Sequence, residues 1–206
     1  MNKRLVVLSA SVVLLSAAAF AQNPITADSP FQVRYASNLN IGDSVVNITN
    51  TGASGGNICV NVYTFAPDEQ EISCCTCSVT PDGLASLSVK NSLISNTLTG
   101  VVPTAVVVKL LASASGACNA ATANPDEVGF PFGLAAWGTT IHALPVTPGS
   151  PATTYGVTET AFTPSSLSAA ELVRITSLCG FIQTDGSGFG ICKGCPSQGL
   201  GASTAQ

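Results

Sequence analysis

Eight cysteines, Cys59, Cys74, Cys75, Cys77, Cys118, Cys179, Cys192 and Cys195, all follow a segment with the three parts of an export signal. Lys3 and Arg4 form its basic start, residues 5–18 its apolar stretch, and Ala19-Phe20-Ala21 a small-residue cleavage site. Residues 1–21 are therefore predicted to be a signal peptide, leaving Gln22 as the new N-terminus. The apolar run is shorter than the ~20 residues that a membrane span needs. The best later stretch, 101–112, is interrupted by Pro103 and Lys109. The expectation is an exported chain, periplasmic, cell-surface or extracellular, with no membrane insertion once the signal is removed.

An even number of cysteines in an oxidising compartment predicts up to four disulfides. Each would stabilise the fold by ~2–4 kcal/mol, mainly by restricting the unfolded chain. Nearness along the chain favours Cys179 with Cys192 or Cys195, and a partner for Cys59 among Cys74, Cys75 and Cys77. The alternative is a thiolate metal site for zinc or Cu(I), since Cys192-Lys193-Gly194-Cys195 has ligand spacing and the Cys74–Cys77 cluster could complete it. Thiolates survive poorly outside the cytosol, so disulfides are expected, with no cofactor and no metal. Pro196 stands where haem attachment requires histidine, and no βαβ pattern supports a thioredoxin-like role.

Composition narrows the partners. Lys3 and Arg4 leave with the signal, so five basic residues face eleven acidic ones and the mature net charge is −6. Arg34, Lys90, Lys109, Arg174 and Lys193 are scattered, which argues against nucleic acid and anionic membranes. Only 9% of residues are charged. A surface of Ser, Thr, Asn, Gly and Ala does little to keep copies apart.

Most of the mature chain reads as short strands: 31–37, 44–50, 57–65, 72–79, 84–90, 104–112, 135–144 and 154–162. Ile58, Val60 and Val62 alternate with Cys59, Asn61 and Tyr63, and Ala85, Leu87 and Val89 alternate with Ser86, Ser88 and Lys90, the signature of strands. Turn residues lie at 50–56, 67–69 and 81–83, where hairpins are expected. One helix follows, since Ser168-Ala169-Ala170-Glu171 is a capping box and Leu167 with Leu172 a hydrophobic staple. Leu172, Ile175, Cys179 and Ile182 share one face over eleven to fifteen residues, with Gly180 as a terminator. The predicted fold is mainly β, an antiparallel β-sandwich, immunoglobulin-like in outline, with one C-terminal helix on its edge and a disulfide-stapled C-terminal loop. Its boundaries are 22–166 for the sandwich, 167–195 for the helix and cysteine-rich loop on the same domain, and 196–206 for a flexible tail. Residues 112–133 read as a long loop pinned by Cys118.

Catalytic patterns are weak. Gly52-Ala53-Ser54-Gly55-Gly56 matches the hydrolase elbow but joins two strands rather than a strand and a helix. His142, the sole histidine, falls opposite Trp137, Thr139 and Ile141, the more apolar set. Asp68, Glu69 and Glu71 surround a turn and read as a solvated hairpin tip, against the alternatives of acid–base chemistry or a calcium site. The expectation is therefore no catalytic residue, and a secreted structural or surface protein that assembles with copies of itself. Its arm would be residues 22–35, pairing with a neighbour's sheet edge. A binding module is the alternative, stacking Phe130, Phe132 or Trp137 on a glycan, although core packing is the ordinary use of all three. An enzyme or metal-handling protein built on His142 or the cysteines comes third.

Overall fold

The computed structural model describes residues 29–114, 118–124, 133–145, 154–193 and 195. The segments read as signal peptide and tail, together with Phe130 and Phe132, lie outside the described residues. The strands are β1 (Phe31–Ala36), β2 (Val45–Asn50), β3 (Ile58–Phe65), β4 (Glu71–Val79), β5 (Leu84–Ser88), β6 (Val106–Ala114), β7 (Leu134–Ala143), β8 (Tyr155–Ala161) and β9 (Thr163–Pro164). Helix α1 (Ala169–Asp185) comes last. The first sheet runs β4-β3-β6-β1-β9 and the second β5-β2-β7-β8. All strand pairs within them are antiparallel. The expected antiparallel sandwich is the fold observed.

Alternation decides which side chains meet. Val60 and Val62 of β3, Val106, Val108 and Leu110 of β6, Val46 and Ile48 of β2, and Leu87 of β5 form the core between the sheets. The opposite face of the first sheet is buried as well: Phe31, Tyr63, Phe65 and Leu111 pack under Ile175, Cys179 and Ile182 of α1. Strand β3 therefore lies between two apolar layers and is buried along its whole length. Tyr63 satisfies its hydroxyl there by donating to the Ala120 carbonyl at 2.7 Å.

Several local expectations change. The turns at 50–56 and 81–83 are not hairpins, because β2 and β5 belong to one sheet and β3 and β4 to the other. Both segments cross between sheets, and fully buried Asn50 ties them together. Its Nδ2 donates to the Gly56 and Val79 carbonyls, and its Oδ1 accepts from the Gly52 N–H. The turn at 67–69 does join a hairpin, β3 to β4. Strand β5 stops at Ser88 rather than Lys90. Ser88 accepts from the Asn91 N–H, and Asp43 takes the Ser88 hydroxyl and the Lys90 N–H, which bends the chain into a π-helical turn, Val89–Leu93.

Helix α1 begins where the capping box places it, with Ser168 Oγ accepting from the Glu171 N–H at 3.1 Å. Glu171 does not reciprocate in the described geometry; its carboxylate pairs with Lys109 of β6. The helix runs past Gly180 to Gly186 and lies over the outer face of the first sheet rather than on the sandwich edge. Gly186 caps the end, where its N–H donates to the Ile182 carbonyl and a Cβ would fall 2.4 Å from that oxygen, so a larger residue does not fit.

All eight cysteines are bridged: Cys59–Cys118, Cys74–Cys179, Cys75–Cys192 and Cys77–Cys195. Neither pairing expected from nearness occurs. Strand geometry gives the reason, since consecutive side chains point to opposite faces. Cys74 reaches the helix above the outer face, whereas Cys75 and Cys77, two residues apart, share the inner face and take the two ends of the C-x-x-C. The C-terminal segment thereby lies along β4, where Cys74 N–H donates to the Gly190 carbonyl and Cys192 N–H to the Cys74 carbonyl. Cys118 pins its loop as expected, to Cys59. These bridges mark a disulfide-stabilised protein of extracellular type.

Candidate functional site

The nucleophile and acid–base candidates are dispersed. Ser54 sits in the inter-sheet crossover, and its hydroxyl donates to the Gly56 carbonyl at 3.0 Å. Strands flank it on both sides, so no strained elbow presents it. His142, near the end of β7, meets Thr158 Oγ1 through Nε2 at 2.8 Å. Asp68 and Glu69 are exposed at the hairpin tip, as expected.

Glu71 is a correction. It is only 5% exposed, directly opposite Phe65 in the outer face of the first sheet, and neither carboxylate oxygen has a hydrogen-bond partner. Burial pushes its carboxyl up to about 9, with Glu171 adding to the rise and the cations of Lys109 and Arg174 opposing it. The hairpin-tip reading failed because β4 begins at Glu71, which puts this side chain under α1. Glu71 and the sulfurs of Cys74 and Cys179 lie within 4.8 Å of one another. Those sulfurs are bonded to each other, so the group offers one oxygen rather than a thiolate set. The wider thiolate alternative loses its ligands in the same way.

Strand β8 is almost wholly uncovered. Among the described residues it forms one edge of the second sheet and pairs only with β7, from Trp137 opposite Ala161 to Ala143 opposite Tyr155. Six of its seven residues are exposed on one face or the other, with Gly156 alone half-buried. Its outward side chains continue an apolar stripe from β7, where Ile141 stands opposite Val157 and Trp137 opposite Ala161. Trp137 is 40% exposed and Val157 65%. The apolar set on β7 thus faces solvent, and core packing is not the use made of Trp137.

The cause lies in the other sheet. Arg34 of β1 points inward, donating from Nη2 to Thr140 Oγ1 at 2.8 Å and from Nε to Thr160 Oγ1 at 3.3 Å. Its guanidinium lies against Gly138, where a Cβ would fall within 2.7 Å of it. Burial lowers the affinity of Arg34 for its proton and Glu159 raises it. The inward side of β7 therefore changes from Leu134 and Ala136 to Gly138, Thr140 and His142, and the bulk of β7 turns outward. The sequence signal was available: a glycine and two polar residues at alternate positions mark a face that receives a polar group.

Among the described residues, no helix is long and apolar enough to cross a membrane. Comparison of the chain with protein families, with curated proteins and with solved structures gave no match.

Proposed function

We propose that this is an exported, non-catalytic structural protein that assembles with copies of itself through the free edge of β8. The observation that carries the reading is a seven-residue edge strand, exposed on both faces, with little of the usual protection among the described residues. Edges are commonly blunted by charged side chains, above all lysine, by proline or by a bulge. Strand β8, Tyr-Gly-Val-Thr-Glu-Thr-Ala, has no lysine, proline or bulge, and Glu159 is its single charge. The export signal and the charge-poor composition support the same reading.

The strand suits antiparallel pairing with itself. A two-fold axis through Thr158 sets Tyr155 against the partner's Ala161 and Val157 against the partner's Glu159, with the two Thr158 residues facing each other. No like charges stand directly opposite in that register, and threonine pairs are favourable neighbours. Two four-stranded sheets would become one of eight, joining the apolar stripes of both copies. Of the arm expected at 22–35, residues 22–28 lie outside the described residues and the rest is already paired within the chain. Residues 31–35 already lie in β1 between β6 and β9, and the Ala112 N–H donates to the Pro30 carbonyl.

Sedimentation velocity on the mature protein tests this. The wild type should sediment as a multimer and Val157→Asp as a monomer, because the new carboxylate faces the partner's Glu159 twice. Adding Glu159→Lys should restore the multimer by making both pairs attractive. Identical masses for all three would contradict the proposal.

A second reading, a glycan-binding surface, rests on Trp137 itself. The ring is exposed on the sheet face opposite Asn47, whose Nδ2 donates to Glu159 Oε1 at 3.4 Å, so polar groups flank an aromatic platform. Binding on a glycan array that is lost in Trp137→Ala, with wild-type sedimentation retained, would favour it over assembly.

A further inference from the structure

Bridges Cys75–Cys192 and Cys77–Cys195 are neighbours in contact. Cys75 Sγ, bonded to Cys192, lies 3.7 Å from Cys195 Sγ, bonded to Cys77. Cys75 and Cys195 are each half-buried and line a surface cleft with Thr76, Asn119, Gln183 and Cys192. Cys74 also borders the cleft but, like its partner Cys179 of α1, is fully buried.

We propose that these two adjoining bridges form a thiol-exchange site, at which an external thiol enters and the four sulfurs trade partners without unfolding the sandwich. An incoming thiolate attacks Cys192 Sγ, which lines the cleft, whereas Cys77 is buried in the core; the new bond is a mixed disulfide and the Cys75 thiolate leaves. Cys75 already touches Cys195 Sγ, so it attacks there, forming Cys75–Cys195 and expelling the Cys77 thiolate. Cys77 then attacks the mixed disulfide at Cys192, forming Cys77–Cys192 and releasing the external thiolate. Each step exchanges one S–S bond for another, and no net oxidant or reductant is consumed. The strand supplies the geometry, because Cys75 and Cys77 stand on one face of β4 and can both reach the two ends of the C-terminal C-x-x-C.

The test removes one sulfur and follows the thiol left behind. In Cys77→Ser the free thiol starts on Cys195, in contact with the Cys75–Cys192 bridge. The purified mature variant is held at pH 8 and sampled over time. Each sample is quenched in acid, labelled with a maleimide and cleaved after Lys193, which places Cys192 and Cys195 in separate peptides. The expected result is label divided between Cys195 and Cys192, with the Cys192 share growing at pH 8 and arrested at pH 5. Label confined to Cys195 at all times overturns the proposal. Should the variant fail to fold, the wild type with reduced and oxidised glutathione serves instead. Fragmentation mass spectrometry should find both pairings of Cys75 while Cys74–Cys179 persists; survival of Cys75–Cys192 alone overturns it equally.

Discussion

Replacing Glu71 by glutamine should stabilise the protein, and the gain should depend on pH in one direction. The carboxyl is buried without a hydrogen bond, and its proton is held up to about 9 in the folded chain against an ordinary value of 4.5. A raised folded-state value means that the native protein keeps a proton which the unfolded chain has released. Stability linked to Glu71 is therefore fully present below 4.5, and is lost as pH rises towards about 9. Each pH unit in that window costs ~1.4 kcal/mol, so the loss by neutral pH is ~3 kcal/mol. Glutamine has the same shape and no proton to lose. Urea unfolding of both proteins at pH 4.5 and pH 7 should show the advantage of Glu71→Gln widening by ~3 kcal/mol between the two. Parallel curves would refute the reasoning, since they would mean that the carboxyl titrates alike in both states and is not buried as described.

Three further outcomes follow from the packing. Ser168→Ala removes the cap on the Glu171 N–H and should cost ~1 kcal/mol, read as a lower denaturation midpoint. Ile175→Ala, fully buried between α1 and the first sheet, should cost ~2–5 kcal/mol, well beyond the capping effect. Cys74→Ser with Cys179→Ser should cost ~3 kcal/mol by thermal unfolding, since Cys75–Cys192 still ties the chain and only a ring of about 15 residues is opened, the helix loosening first. A pair of serines matching the wild type would show that the bridge constrains little.

Strand positions were legible because short apolar alternation bounded by turn residues has few other interpretations. All eight expected strands are present, and the helix start follows from Ser168. The disulfide pairing was partly legible as well. Alternation separates Cys74 from its neighbours and groups Cys75 with Cys77, a stronger constraint than nearness along the chain. What could not be read was which sheet each strand joins, because a crossover and a hairpin use the same turn residues. Trp137 and Glu71 were misjudged for a common reason. Their surroundings come from distant segments: Arg34 across the sandwich turns the bulk of β7 outward, and α1 covers the hairpin base where Glu71 stands. The two-residue β9 carries no pattern of its own and exists because β8 continues past Phe162 into the other sheet.

Hydrogen exchange along β8, measured at several protein concentrations, addresses self-assembly most directly. Half of its amides bond to β7 and should exchange slowly at every concentration. Edge pairing predicts that the outward amides of β8 are protected at high concentration and exchange freely on dilution, in step with loss of the multimer. Outward amides that exchange rapidly at all concentrations, while the sandwich core remains protected, would contradict assembly through this edge.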